Sequence, residues 1–122
     1  MGTLSILIVD DDKKILELLT LGFERYGLKV LTAENGSDAL DLFKREHIDL
    51  VLTDIIMPGF NGKELARRIK NESPRTRIAL MTGAEEEDME ELLNNGTADY
   101  FFLKPFDINY VCKTFIGEAL AT

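Results

Sequence analysis

The sequence has no tryptophan, one cysteine and one histidine among its 122 residues, and each scarcity excludes something. A lone Cys112 closes no internal disulfide, and its place in an apolar-periodic segment predicts a packed, reduced thiol in a reducing compartment. Without tryptophan there is no indole to stack on a flavin, and no Gly-rich phosphate-cradling loop follows the first apolar run, which argues against a flavin or nucleotide carrier. Basic residues are outnumbered, 14 against 22, and the net charge of −8 repels a phosphate backbone, so nucleic acid is not expected as a direct partner. Long apolar runs are missing too. Stretches such as Ile6 to Val9 fall far short of the roughly 20 residues a membrane-spanning helix needs, and no charged-then-apolar leader precedes them. A soluble, cytoplasmic protein without a membrane partner is the expectation.

What is present is an alternation of short buried runs and helical patterns. An apolar fraction of 45% in a chain of this length suits one compact core, so residues 1–122 are expected to form a single domain. Ser5 to Val9 reads as a strand buried on both faces, ending abruptly in Asp10, Asp11 and Asp12. Ile15, Leu18, Leu19 and Phe23 then recur at helical spacing, and Gly27 followed by Leu28 marks a left-handed C-terminal cap. Leu28 to Thr32 is the second predicted strand. Asn35 caps a helix that turns Ala39, Leu40 and Phe43 inward, and Asp49 to Thr53 forms a third strand. After the breaker-rich Met57-Pro58-Gly59-Phe60-Asn61-Gly62, Asn61 and Glu64 suggest a capping box for a helix carrying Leu65, Ala66 and Ile69. Pro74 stops it. Arg77 to Thr82 is a fourth strand, and an acidic helix is expected from about Glu85 with Met89, Leu92 and Leu93 inward and Gly96 past its end. Ala98 to Leu103 is the fifth strand, and Asp107 caps a last helix through Ile108, Val111 and Phe115. Five strands alternating with five helices specify an α/β fold, a doubly wound parallel sheet with helices on both faces.

The polar residues that interrupt the strands all lie at strand C-terminal ends: Asp10 and Asp11, Asp54, Thr82 and Lys104. Ligands of open α/β sheets bind outside those ends. If the first and third strands are neighbours, three carboxylates share a few ångströms and need a cation among them. Hard oxygen donors with no cysteine or histidine favour Mg²⁺ over zinc. Lys104 adds a point charge, Thr82 a hydroxyl and Gly83 open space, which are the parts of a phosphoryl-transfer site. Asp54, beneath a loop of Pro and Gly, is the expected nucleophile, with Asp10 and Asp11 left to hold the metal.

Four stretches in order, Ile6-Leu7-Ile8-Val9-Asp10-Asp11-Asp12, Asp49-Leu50-Val51-Leu52-Thr53-Asp54 with Met57-Pro58-Gly59 and Gly62, Met81-Thr82-Gly83, and Lys104-Pro105-Phe106, resemble the response-regulator receiver domain over essentially the whole chain. The resemblance implies a flavodoxin-like sheet of order 2-1-3-4-5. It also implies that Asp54 is the phosphoacceptor and that Asp10 and Asp11 position Mg²⁺, with the carbonyl of Ile56 as a further metal ligand. By the same resemblance Lys104 contacts the phosphoryl group and is joined to Pro105 by a cis peptide, while Thr82 and Phe101 are the switch pair. Implied partners are a sensor histidine kinase or phosphotransfer protein as donor, and a downstream effector domain or protein. Such a domain is a signalling switch rather than an enzyme. Two departures stand out: Phe101 lacks the hydroxyl that a Tyr would bring to the switch position, and Thr97 occupies a place more often held by Gly; separately, Ile56 and Ala84, both apolar where the family tunes phosphoryl lifetime, suggest slow autodephosphorylation.

Each of these residues has a blander reading by itself. Asp12 suits a helix cap, Asp54 a turn, Thr82 a satisfied strand end, Lys104 a solvated charge and His47 a solvated loop residue; their joint occurrence decides. The alternative function is a Mg²⁺-dependent aspartyl-phosphate phosphatase or phosphotransferase, for which Asp10 and Asp12 supply a D-x-D pair but no residues remain for a substrate cap. A second apolar stripe on the last helix, Cys112, Ile116 and Ala119, is a candidate surface for a homodimer or an effector.

Overall fold

The computed structural model describes residues 2–83 and 88–120. Ten elements alternate strictly: β1 (Ser5–Val9), α1 (Lys13–Arg25), β2 (Lys29–Ala33), α2 (Gly36–Arg45), β3 (Leu50–Asp54), α3 (Gly62–Glu72), β4 (Arg77–Thr82), α4 (Met89–Asn94), β5 (Tyr100–Leu103) and α5 (Ile108–Leu120). All four strand pairings are parallel and the order is β2-β1-β3-β4-β5. That is the doubly wound order implied by the resemblance.

Alternation along the strands divides the core in two. Ile6 and Ile8 of β1 face one side with Leu16, Leu19 and Phe23 of α1 and Val111, Cys112 and Phe115 of α5. Leu7 and Val9 face the other with Ala39 of α2, Leu65, Ala66 and Ile69 of α3 and Leu92 of α4. Successive strand residues point to opposite faces, so a strand covered on both must be apolar at nearly every position, as β1 is. Each large side chain buried in this way contributes about 1.5–3 kcal/mol.

The local signals act where expected. Asp12 accepts hydrogen bonds from the Lys14 and Ile15 amides and caps α1. Asn35 accepts from the Asp38 amide, Asn61 from the Glu64 amide and Asp107 from the Tyr110 amide. At the end of α1, Gly27 takes φ +84°, and the Leu28 amide donates back to the Phe23 carbonyl at 3.3 Å, closing a Schellman turn.

Three expectations need correction. Leu18 and Leu93 do not face the core; they are 43% and 41% exposed, because Leu16 and Leu92 take the inward positions of α1 and α4. Glu64 does not complete a capping box but ion-pairs with Arg68 at 3.0 Å and Arg67 at 3.7 Å. The α5 stripe is not left over: Cys112 is fully buried, Ile116 and Ala119 pack against the same core, and a Cβ on Gly22 of α1 would meet the Cys112 sulfur at 2.8 Å. His47 is solvated as expected, 83% exposed, and its ring lies 2.9 Å from the Asp49 carboxylate. The acidic run from Glu85 to Glu87 and the apolar Ala84 lie outside the described residues. No helix among the described residues is long and apolar enough to cross a membrane.

Candidate phosphoryl-transfer site

Register alone brings the acids together. Val9 pairs with Thr53 across β1 and β3, so the next residue on each strand is Asp10 and Asp54. Thr82 pairs with Leu103 across β4 and β5, and the following Lys104 amide donates to the Thr82 carbonyl at 2.7 Å. Parallel strands end at the same edge, so residues distant in sequence converge there.

Carboxylate oxygens of Asp10, Asp11 and Asp54 lie within 4.8 Å of one another. Asp10 is fully buried, and one of its oxygens accepts from the Asp12 amide at 2.9 Å. Asp11 is exposed. Asp54 accepts from the Ile55 amide through Oδ1 at 3.0 Å and presents Oδ2 to Lys104. The Lys104 ammonium stands 3.0 Å from Asp10 Oδ2 and 3.4 Å from Asp54 Oδ2, with only a quarter of its side chain exposed. The Lys104–Pro105 peptide is cis.

The electrostatics follow from this crowding. Burial pushes the Asp54 carboxyl above its usual pKa, the neighbouring Asp10 charge pushes it further, and Lys104 only partly offsets both. Burial works to lower the Lys104 pKa, but its bonds to Asp10 and the charge of Asp54 carry it above the ordinary lysine value. One ammonium shared between two acids, with the exposed Asp11 carboxylate beside them, leaves net negative charge in a pocket of hard oxygen donors. That donor set fits Mg²⁺, which takes one or two carboxylates and keeps its remaining positions for water and phosphate oxygens.

Thr82 is 3% exposed at the end of β4, and Phe101 is half-buried on β5 against the core on the Leu7 and Val9 side. Ile56 extends into solvent with its side chain 77% exposed. Asp12, half of the D-x-D pair, commits its carboxylate to the amides of α1. Sequence reasoning passed over Thr53, whose fully buried hydroxyl donates to the Asp54 carbonyl at 2.9 Å. A lone hydroxyl inside an apolar strand, directly before an acid, is the signal that points to it.

A five-stranded sheet of this order with an acidic pocket and a lysine at its carboxyl edge defines a receiver-type signalling domain. The model of the response regulator receiver domain matches residues 6–115, and the chain belongs to that family. It is 40% identical over 105 residues to the regulatory protein AtoC of Escherichia coli, covering 85% of this chain but 23% of AtoC. It is also 40% identical over 106 residues to sporulation initiation phosphotransferase F of Bacillus subtilis, covering 87% of this chain and 86% of that protein. Among solved structures, the response regulator TrrA of Thermotoga maritima in complex with Mg²⁺-BeF superposes with a TM-score of 0.83 at 34% identity, covering 95% of this chain and 99% of that one.

Proposed function

We propose that this chain takes a phosphoryl group from a phosphohistidine of a sensor histidine kinase or a phosphotransfer protein onto Asp54. A bond forms between Asp54 Oδ2 and phosphorus, the phosphorus–nitrogen bond breaks, and the leaving imidazole nitrogen keeps that electron pair and takes up a proton from solvent. Asp10, Asp11, Asp54 and the carbonyl of Ile56 are the groups assigned to hold Mg²⁺, which when bound neutralises phosphoryl oxygens. The carrying observation is that three carboxylates from two strand ends lie within 4.8 Å of one another, with the Lys104 ammonium 3.4 Å from Asp54 Oδ2.

Asp54 is the acceptor because its Oδ2 faces Lys104 while Asp10 is fully buried. Lys104 is placed to follow the charge as it passes to the new phosphoryl group, which adds about −1.5 to −2. Thr82 and Lys104 draw toward that charge, Phe101 turns inward behind Thr82, and the face formed by α4, β5 and α5 is reshaped for an effector domain or protein. The domain works as a cytoplasmic switch that is loaded and emptied, not as a multiple-turnover enzyme. A phosphatase would need Asp12 as its second acid, and the cap of α1 occupies that carboxylate.

The test is labelling by acetyl phosphate with Mg²⁺, followed by intact mass. Asp54→Asn should abolish the phosphoryl adduct and keep the fold by circular dichroism; an undiminished adduct would falsify the assignment.

A further inference from the structure

Two groups hold the backbone that carries the Asp54 side chain. Gly62, the first residue of α3, sits against the Asp54 peptide so closely that a Cβ built on it would fall 2.1 Å from the Asp54 carbonyl oxygen and 3.0 Å from both the Asp54 carbonyl carbon and Ile55 Cα. All three obstructing atoms are main chain, so no change of rotamer relieves the clash. Only Gly27, Gly59 and Gly96 among the described residues have positive φ, so what Gly62 must supply is room rather than a left-handed backbone. Its amide also donates to the Ile55 carbonyl at 2.8 Å.

Thr53 acts on the same peptide from within β3. Its fully buried hydroxyl donates to the Asp54 carbonyl oxygen at 2.9 Å, with the Met57 sulfur at 3.9 Å as the weaker acceptor. The nitrogen of that peptide belongs to Ile55, which donates both to the Met81 carbonyl at 3.1 Å and to Asp54 Oδ1 at 3.0 Å. Fixing the peptide therefore fixes Oδ1, and with Oδ1 held the other oxygen is turned toward Lys104.

We propose that Gly62 and Thr53 are positioning residues for phosphoryl transfer: they fix the Asp54–Ile55 peptide, and through the Ile55 amide the carboxylate orientation that aims Oδ2 at phosphorus. The inference rests on Asp54 being the acceptor. Neither residue touches the phosphoryl group, so their effect falls on the rate of attack rather than on binding. Small displacements of a reacting atom suffice, since misplacement by about 1 Å can cost on the order of 100-fold in rate.

The experiment follows the initial rate of adduct formation against acetyl phosphate concentration in excess Mg²⁺. In that reaction an Asp54 Oδ–phosphorus bond forms, the acetyl oxygen–phosphorus bond breaks and acetate leaves. Gly62→Ala should lower the maximal rate by about 10- to 100-fold with the half-saturating concentration within about twofold of the parent. Thr53→Val should lower the maximal rate several-fold, and Thr53→Ser, which keeps the hydroxyl, should restore it. Thermal unfolding of each variant fixes an assay temperature well below every transition, so a lost rate is not a lost fold. If Gly62→Ala does not fold, the Thr53 pair alone decides. A folded Gly62→Ala with the parent's maximal rate, a fall confined to half-saturation, or equal rates for Thr53→Val and Thr53→Ser overturns the proposal. An adduct that survives Asp54→Asn overturns the acceptor reading instead, whereas loss there with a full rate in Gly62→Ala overturns positioning alone.

Discussion

Lys104 lies closer to the buried Asp10, at 3.0 Å, than to Asp54, at 3.4 Å. The same ammonium thus bridges the fully buried acid of the pocket and the partly exposed one. Asp10 is fully buried, and the partners of its carboxylate are that ammonium and the Asp12 amide.

Removing the ammonium should therefore cost stability as well as signalling. Breaking a buried ion pair costs about 3–5 kcal/mol, and the quarter exposure of Lys104 reduces the expectation for Lys104→Met to about 1–3 kcal/mol in Mg²⁺-free buffer. Urea unfolding with and without Mg²⁺ measures this. The variant should recover more stability from Mg²⁺ than the parent does, since the ion replaces the missing positive charge. An unchanged unfolding midpoint would show that Asp10 does not depend on Lys104.

Asp11 and Asp12 are adjacent acids with opposite assignments, so alanine at each should give opposite phenotypes. Asp12→Ala removes the cap bonds to the Lys14 and Ile15 amides and should cost about 0.5–2 kcal/mol while leaving labelling by acetyl phosphate intact. Asp11→Ala relieves repulsion among three carboxylates within 4.8 Å, so metal-free stability should hold or rise while Mg²⁺-dependent labelling is lost. Chemical denaturation paired with intact mass separates the two. Equal effects on labelling from both variants would mean that Asp12 is not primarily a cap.

The architecture was legible because strand burial and polar interruption coincide in one pattern. β1 is apolar at four of its five positions and then meets three aspartates, which only a two-faced strand ending at a site explains well. Legibility failed where neighbouring apolar residues compete for one inward direction. Leu18 and Leu19, or Leu92 and Leu93, differ by about 100° around a helix, and only the packed partners decide which is covered. The α5 stripe misled for the same reason, since nothing near Cys112 in sequence reveals that Gly22 of α1 leaves space for its sulfur. Gly62 was visible as a loop breaker, but its closeness to the Asp54 carbonyl depends on where α3 lands on β3.

That packing of Cys112 also makes stability depend on alkaline pH. Its thiol is fully buried, and burial alone raises its pKa from 9.0 to about 11. The folded chain therefore holds the thiol proton more tightly than the unfolded chain. Below pH 9 both states are protonated and the full stability is present; between about 9 and 11 the unfolded state loses its proton first, and stability falls as pH rises. At about 1.4 kcal/mol per unit, the loss attributable to Cys112 is about 2–3 kcal/mol across that window. Lysines and tyrosines titrate there too, so the measurement is a comparison of urea unfolding at pH 8 and pH 11 in the parent and in Cys112→Ala. At pH 8 the parent should be the more stable, because alanine leaves a void beside Gly22. By pH 11 that advantage should shrink by about 2–3 kcal/mol, and a gap that stays constant would show that the thiol is not held protonated by the core.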